Sequence, residues 1–168
     1  MSVSIVGWSH YPFGKMSDDA ETMVRTVVDG ALENAGVEAK DIDVIVVGHF
    51  NAGFQNQDFP SSLPFQSQPD LRFKPSTRVE NACATGSAAI HQAMNAINSG
   101  RARRALVVGY EKMTETPGKE VGDILLKCSY VKEESETPAG FAGVFGQLTQ
   151  NYFQRYGDQS DVLAKIAA

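Results

Sequence analysis

The sequence predicts an α/β protein with a parallel sheet, and three observations carry that prediction. Residues 42–48 (IDVIVVG) and 104–110 (RALVVGY) are apolar almost without alternation, as strands covered on both faces are. Residues 18–35 place Ala20, Met23, Val24, Val27, Val28, Ala31, Leu32 and Ala35 at three- and four-residue steps, one face of a helix. Read along the chain, the pattern is strand, helix, strand, strand, helix, strand.

The elements follow in order. Residues 2–8 read as a first strand ending near a glycine, and 10–15 contain Tyr-Pro-Phe-Gly, which is turn chemistry. Ser17 is placed to cap the first helix, Asp18 and Asp19 suit the positive end of its dipole, and Gly36 supplies the left-handed residue that ends it. After the strand at 42–48 comes a long connection, 49–74, in which Pro60, Pro64 and Pro69 prevent any long helix. Connections of that length are usually functional or contain short helices. Residues 76–81 resume as a strand, 83–99 as a helix closed by Gly100, and 104–110 as a buried strand.

The helix at 83–99 carries Ala84, Gly86, Ser87, Ala88, Ala89, Ala93 and Ala96, small side chains on nearly every face. An amphipathic surface helix would show a polar stripe, so this one is expected between two layers. Beyond Thr114 the composition changes. Residues 115–138 are charged and interrupted by Gly and Pro, and 139–156 read as a helix with Phe141, Phe145, Leu148 and Tyr152 on one face. The expected division is 1–114 and 115–168. The chain ends within a helical pattern and reads as cut rather than finished.

Composition narrows the function. With 42% hydrophobic and 21% charged residues the chain reads as a soluble globular protein, and no apolar run approaches the roughly 20 residues needed to span a bilayer. The start lacks the features of a secretory signal. Net charge is −5 and the basic residues are scattered apart from Arg101, Arg103 and Arg104, which argues against nucleic acid as a partner. Cys83 and Cys128 are read as thiols, in keeping with a cytoplasmic location. There is no glycine-rich phosphate loop, no Cys-x-x-Cys pair and no cluster of metal ligands.

Cys83 stands where a strand meets a helix rich in small residues. A thiol there lies near the positive end of the helix, where the dipole favours the thiolate, the nucleophilic form. Taken alone, a cysteine is more often a small core residue. Among the histidines, His49 follows directly on a buried strand, and ligand sites in open α/β sheets lie at carboxyl strand ends, so it is the candidate for substrate binding. His91 is roughly 12 Å along the helix axis from Cys83, too far to bond the thiol. His10 lies in a turn and is expected to face solvent. Cys128 is expected to be an ordinary packed thiol, and Glu111 and Lys112 to begin a solvated loop.

The run Arg78-Val79-Glu80-Asn81-Ala82-Cys83-Ala84-Thr85-Gly86-Ser87-Ala88-Ala89 resembles the nucleophile segment of thiolases, most of all the sterol-carrier-protein type. The strand end Ile45-Val46-Val47-Gly48, the Gly100 turn and the segment Leu106-Val107-Val108-Gly109-Tyr110-Glu111-Lys112-Met113 agree in order and spacing. The resemblance covers nearly the whole chain. It implies a layered α/β/α/β/α fold of two similar halves, of which this chain is the amino-terminal one with the beginning of a loop domain. It also implies that Cys83 takes an acyl group from an acyl-CoA thioester. Coenzyme A thioester would then be the substrate, with no permanently bound cofactor and no metal.

The family draws a catalytic histidine and a second cysteine from its second half, and no Gly-His-Pro or His-Asp-Cys-Phe run occurs here. Those groups are expected from a carboxy-terminal half supplied by the same gene or a partner subunit. A homodimer or homotetramer is the expected assembly. A ketoacyl-synthase-like condensing enzyme and a non-catalytic subunit are the alternatives. Lys119, Lys127, Lys132 and Arg155 could meet CoA phosphates, although a solvated face is the commoner role for such residues.

Overall fold

In a computed structural model, which describes residues 2–168, the chain forms two compact units, residues 2–116 and Pro117–Ala168. The first unit is built on a three-stranded parallel sheet of β1 (Val44–Gly48), β2 (Ser76–Val79) and β3 (Ala105–Gly109), in the order β2-β1-β3. In register, Gly48 stands opposite both Val79 and Gly109, so the three strands finish level with one another.

Helix α1 (Ala20–Ala35) covers one face of the sheet. Asp19 caps it, its carboxylate accepting from Thr22 N at 2.8 Å, rather than the expected Ser17. Gly36 closes it with φ 61°, a left-handed turn in which glycine meets no Cβ penalty. Val24, Val28 and Leu32 of α1 pack with Ile45 and Val47 of β1, Leu106 and Val108 of β3, and Leu71. Burying each such side chain contributes roughly 1.5–3 kcal/mol. Val46 points to the opposite face and meets Ala89 and Ala93 of α2 (Thr85–Asn98). The alternation along β1 therefore feeds two cores, which is why its sequence shows no polar alternation.

One further expectation is corrected. Residues 2–8 do not form a strand: Ile5, Val6 and Trp8 remain exposed, and Gly7 lies against Ala35, where a Cβ would meet that residue's backbone at 2.6 Å. The β propensity is present, but among the described residues no strand pairs with it. Helix α2 lies on the sheet face opposite α1. It buries Thr85, Ala89 and Ala93 against the sheet and leaves Gly86, Ser87 and Ile90 exposed, the open face expected of a helix between layers when the second half is not present. The long connection does contain short helices, as 3-10 turns at Pro60–Gln66 and Pro69–Leu71.

The second unit is helical: α3 (Gly118–Leu126), α4 (Val131–Glu134), α5 (Gly140–Tyr156) and α6 (Ser160–Ala167). Helices α3 and α5 pack together, and Ile124 is buried. A Cβ on Gly143 would fall 1.8 Å from the carbonyl oxygen of Pro138, so α5 can begin this close to the preceding loop only with glycine there. Phe145, Leu148 and Tyr152 do share a face of α5, and it is exposed. Among the described residues no helix is long and apolar enough to cross a membrane.

Candidate active site

Because the three parallel strands finish level, the segments leaving them gather at one edge of the sheet. Residues 49–58 leave β1, 80–84 leave β2, and 110–112 leave β3. Ligand sites in open α/β sheets occupy this carboxyl edge. Cys83 and His49, the two candidates from sequence, both lie on segments leaving it.

Cys83 sits in a single 3-10 turn, Ala82–Ala84, between β2 and α2, and its residue is exposed. Two side chains, Glu80 and Thr85, fix the turn. Ala82 adopts φ 45°, an unfavourable angle for any residue with a Cβ. Its amide donates to the Glu80 carboxylate. The Thr85 hydroxyl accepts from Asn81 N at 2.8 Å and donates to Ala82 O at 2.7 Å. Helix α2 starts immediately after, with no side chain capping its first amides, so its positive end is left to the turn that carries Cys83. The thiol is thus exposed, aimed by a tied turn and placed at a helix N-terminus.

The His49 side chain is wholly buried, stacked on Tyr110 with ring centroids 4.2 Å apart. Its Nε2 stands 3.4 Å from a Glu111 oxygen, an approach too poorly directed for a hydrogen bond, and neither ring nitrogen has a partner. The side chain has no exposed surface in this chain and lies under the edge.

The charged groups that shape this edge were not read from the sequence as such. The Glu111 carboxylate accepts from Phe50 N at 2.8 Å and from Asn51 N at 3.0 Å. From the other side Arg78 donates to His49 O at 3.0 Å, to Phe50 O at 2.8 Å and to the Asp58 carboxylate at 2.7 Å. The first residues of the β1 loop are held by an anion at their amides and a cation at their carbonyls. That grip sustains left-handed backbone at Asn51 (φ 59°) and Ala52 (φ 49°), a strain that persists only where surroundings impose it. Lys112 was expected in a solvated loop and is instead buried, its ammonium donating to the carbonyls of Met16 and Asp18 and pairing with Glu115 at 2.9 Å. An isolated buried ammonium would be costly; these acceptors make the site tolerable. The Tyr110 hydroxyl has no partner, and burial, aided by the Glu111 carboxylate, pushes its pKa up to about 12.

Elsewhere the expected residues are placed as follows. His91 is exposed on α2, and His10 is exposed with its ring edge-on to Phe13 at 4.6 Å. Cys128 is half-buried and not in a disulfide. Lys119, Lys127, Lys132 and Arg155 are all exposed on the second unit. Among the described residues no group of three or more His, Cys, Asp or Glu side chains is arranged to hold a metal.

Residues 3–154 match the thiolase amino-terminal domain. The chain belongs to the thiolase family. It is 31% identical over 98% of its length to an acetyl-CoA acetyltransferase of Methanothermobacter thermautotrophicus, covering 43% of that protein. It is 34% identical over 92% of its length to an acetyl-CoA acetyltransferase of Methanocaldococcus jannaschii, covering 39%. A non-specific lipid-transfer protein-like 2 of Caenorhabditis elegans is 28% identical over 98% of the chain and is 39% covered. The chain thus spans about two fifths of these relatives. In fold it is similar to 3-oxoacyl-[acyl-carrier-protein] synthase III from Aquifex aeolicus, with a TM-score of 0.52 and 24% identity over 60% of this chain and 32% of that one. As a thiolase-family chain it carries the layered α/β fold read from its sequence, and the cysteine segment that suggested the family lies at the sheet edge where the tied turn presents it.

Proposed function

We propose that this chain supplies the nucleophilic half of a thiolase-type acyltransferase site, with Cys83 as the acyl carrier. The observation that carries the reading is the exposed thiol on a fixed turn at the start of α2. The Cys83 thiolate attacks the carbonyl carbon of an acyl-CoA thioester. A new bond forms from Sγ to that carbon, the bond from the carbon to the CoA sulfur breaks, and CoA departs as a thiol with the proton Cys83 has given up. A second acyl-CoA, or CoA in the cleaving direction, then accepts the acyl group, so that a carbon–carbon bond beside a thioester is made or broken. The acid and base for proton transfer are expected from a carboxy-terminal half, in keeping with the two fifths of its relatives that the chain spans. The names of two relatives, both acetyl-CoA acetyltransferases, support acetyl-CoA as the first substrate to try.

In this reading residues 1–114 are the amino-terminal α/β domain and 115–168 open the loop domain; the change of compact unit after Thr116 supports it. CoA thioester is substrate rather than resident cofactor. A cytoplasmic homodimer or homotetramer is the working assembly. A ketoacyl-synthase-like condensing enzyme shares the fold, but the likeness to such a synthase speaks only for the fold. Steady-state turnover of the full-length protein with acetyl-CoA is the test. Cys83→Ser should lower kcat by on the order of a thousandfold or more while leaving the fold intact, and near-normal turnover in that variant would remove the proposal.

A further inference from the structure

One buried hydroxyl ties the turn that carries Cys83, and the thiolase reading gives it no role. Thr85 is the first residue of α2, and only 8% of its surface is exposed. Its Oγ1 accepts from Asn81 N at 2.8 Å and donates to Ala82 O at 2.7 Å, so one oxygen spans the two residues before Cys83. One of those is Ala82, whose φ of 45° the backbone does not choose unaided. The rest of Thr85 is wedged against the end of β1: a Cβ on Gly48 would lie 3.2 Å from Thr85 Cγ2 and 3.2 Å from Thr85 O. The methyl therefore anchors the residue to the sheet while the hydroxyl reaches the turn.

We propose that Thr85 is a positioning residue for acyl transfer: its hydroxyl holds Ala82 in the left-handed conformation and so aims the Cys83 thiol, with the end of β1 as its reference. The assignment rests on Cys83 being the acyl carrier. Thr85 itself need touch no substrate. Because attack on a thioester carbonyl depends on the approach of Sγ, a turn released by loss of the hydroxyl costs acylation more than it costs the chemical reactivity of an exposed thiol. A misplacement on the order of 1 Å can lower a rate ~100-fold.

Two near-isosteric variants separate the hydroxyl from the methyl. Thr85→Val keeps the shape against Gly48 and removes both hydrogen bonds; Thr85→Ser keeps the bonds and removes the methyl. In full-length protein, single-turnover acetylation of Cys83 by acetyl-CoA should fall ~10- to 100-fold in Thr85→Val and stay within about threefold of wild type in Thr85→Ser. Alkylation of Cys83 by iodoacetamide, which needs no such approach, should change far less in either. Equal acetylation by Thr85→Val and wild type would overturn the proposal. Equal loss in both variants would also overturn it, because the effect would then lie in packing against Gly48. Should Thr85→Val not fold, Thr85→Ala removes the same hydroxyl and is read against Thr85→Ser. If wild type itself shows no acetyl group on Cys83, it is the acyl-carrier reading that fails. Thr85 is then judged by amide exchange at Asn81 and Ala82, which must quicken in Thr85→Val and not in Thr85→Ser for its hold on the turn to stand.

Discussion

The imidazole of His49 lies flat on the phenol of Tyr110, with ring centroids 4.2 Å apart and planes inclined by 12°. This stack joins the first residue after β1 to the first after β3, directly beneath the edge that bears Cys83. Neither partner has its polar atoms satisfied: both His49 nitrogens and the Tyr110 hydroxyl are without hydrogen bonds. The pair is held by ring contact, with the charges of Glu111 and Arg78 around it.

The Tyr110 hydroxyl ordinarily titrates at 10.0 and here is pushed up to about 12 by burial first, then by the Glu111 carboxylate, with Arg78 acting in the opposite sense. The unfolded chain therefore gives up this proton at lower pH than the folded one. Between pH 10 and pH 12 the folded state binds more protons, so stability is fully present below the ordinary value and is lost as pH rises through that window. Tyr11, raised by its hydrogen bond to Asp18, adds a share of its own. Tyr110→Phe should flatten the alkaline decline and cost no more than about 1 kcal/mol at neutral pH, since the hydroxyl it removes is unpartnered. Urea midpoints on the two proteins across the window check this, and parallel declines would refute it.

Glu111→Ala removes the acceptor of both Phe50 N and Asn51 N. The expected loss is about 2 kcal/mol, as for hydrogen bonds to a charged group, with a smaller loss for Glu111→Gln, which keeps one acceptor. Amide exchange at Phe50 and Asn51 should quicken in Glu111→Ala, and Ala52 should leave its left-handed conformation. Unchanged exchange at those two amides would mean that Arg78 alone holds the loop.

Two glycines at the junction of β1 and α2 should respond in opposite directions. A Cβ on Gly48 would meet Thr85 at 3.2 Å and Ala89 Cβ at 3.3 Å, so Gly48→Ala must push α2 off the sheet, at about 1–2 kcal/mol. Gly86, one residue beyond Thr85, has nothing within 4 Å of such a Cβ. Gly86→Ala should therefore stabilise the 168-residue chain by roughly 0.5 kcal/mol through a stiffer helix. Denaturant titration of both variants decides; a Gly48→Ala protein as stable as wild type would show that α2 does not lie as close as described.

The sheet and its two covering helices were legible because burial on both faces writes itself as apolar runs, and α1 as a helical stripe with Gly36 at its end. The nucleophile turn was legible because Cys83 falls between a strand and a run of small residues within a family-like segment. What escaped reading shares one cause. Lys112, Glu111 and Arg78 are charged, and sequence pattern assigns charge to solvent, whereas here the charges are spent on backbone groups of a neighbouring segment far along the chain. Residues 2–8 misled in the opposite sense, since β propensity does not supply the neighbouring strand that makes one.

The most direct test of the central claim is to locate the acyl group. Full-length protein mixed with acetyl-CoA, quenched in acid and mapped by peptide mass should carry one acetyl group on the peptide containing Cys83, none on that containing Cys128, and none in Cys83→Ser. Turnover that proceeds while Cys83 stays unmodified in the quenched enzyme, or an acetyl group that persists in Cys83→Ser, would contradict the account.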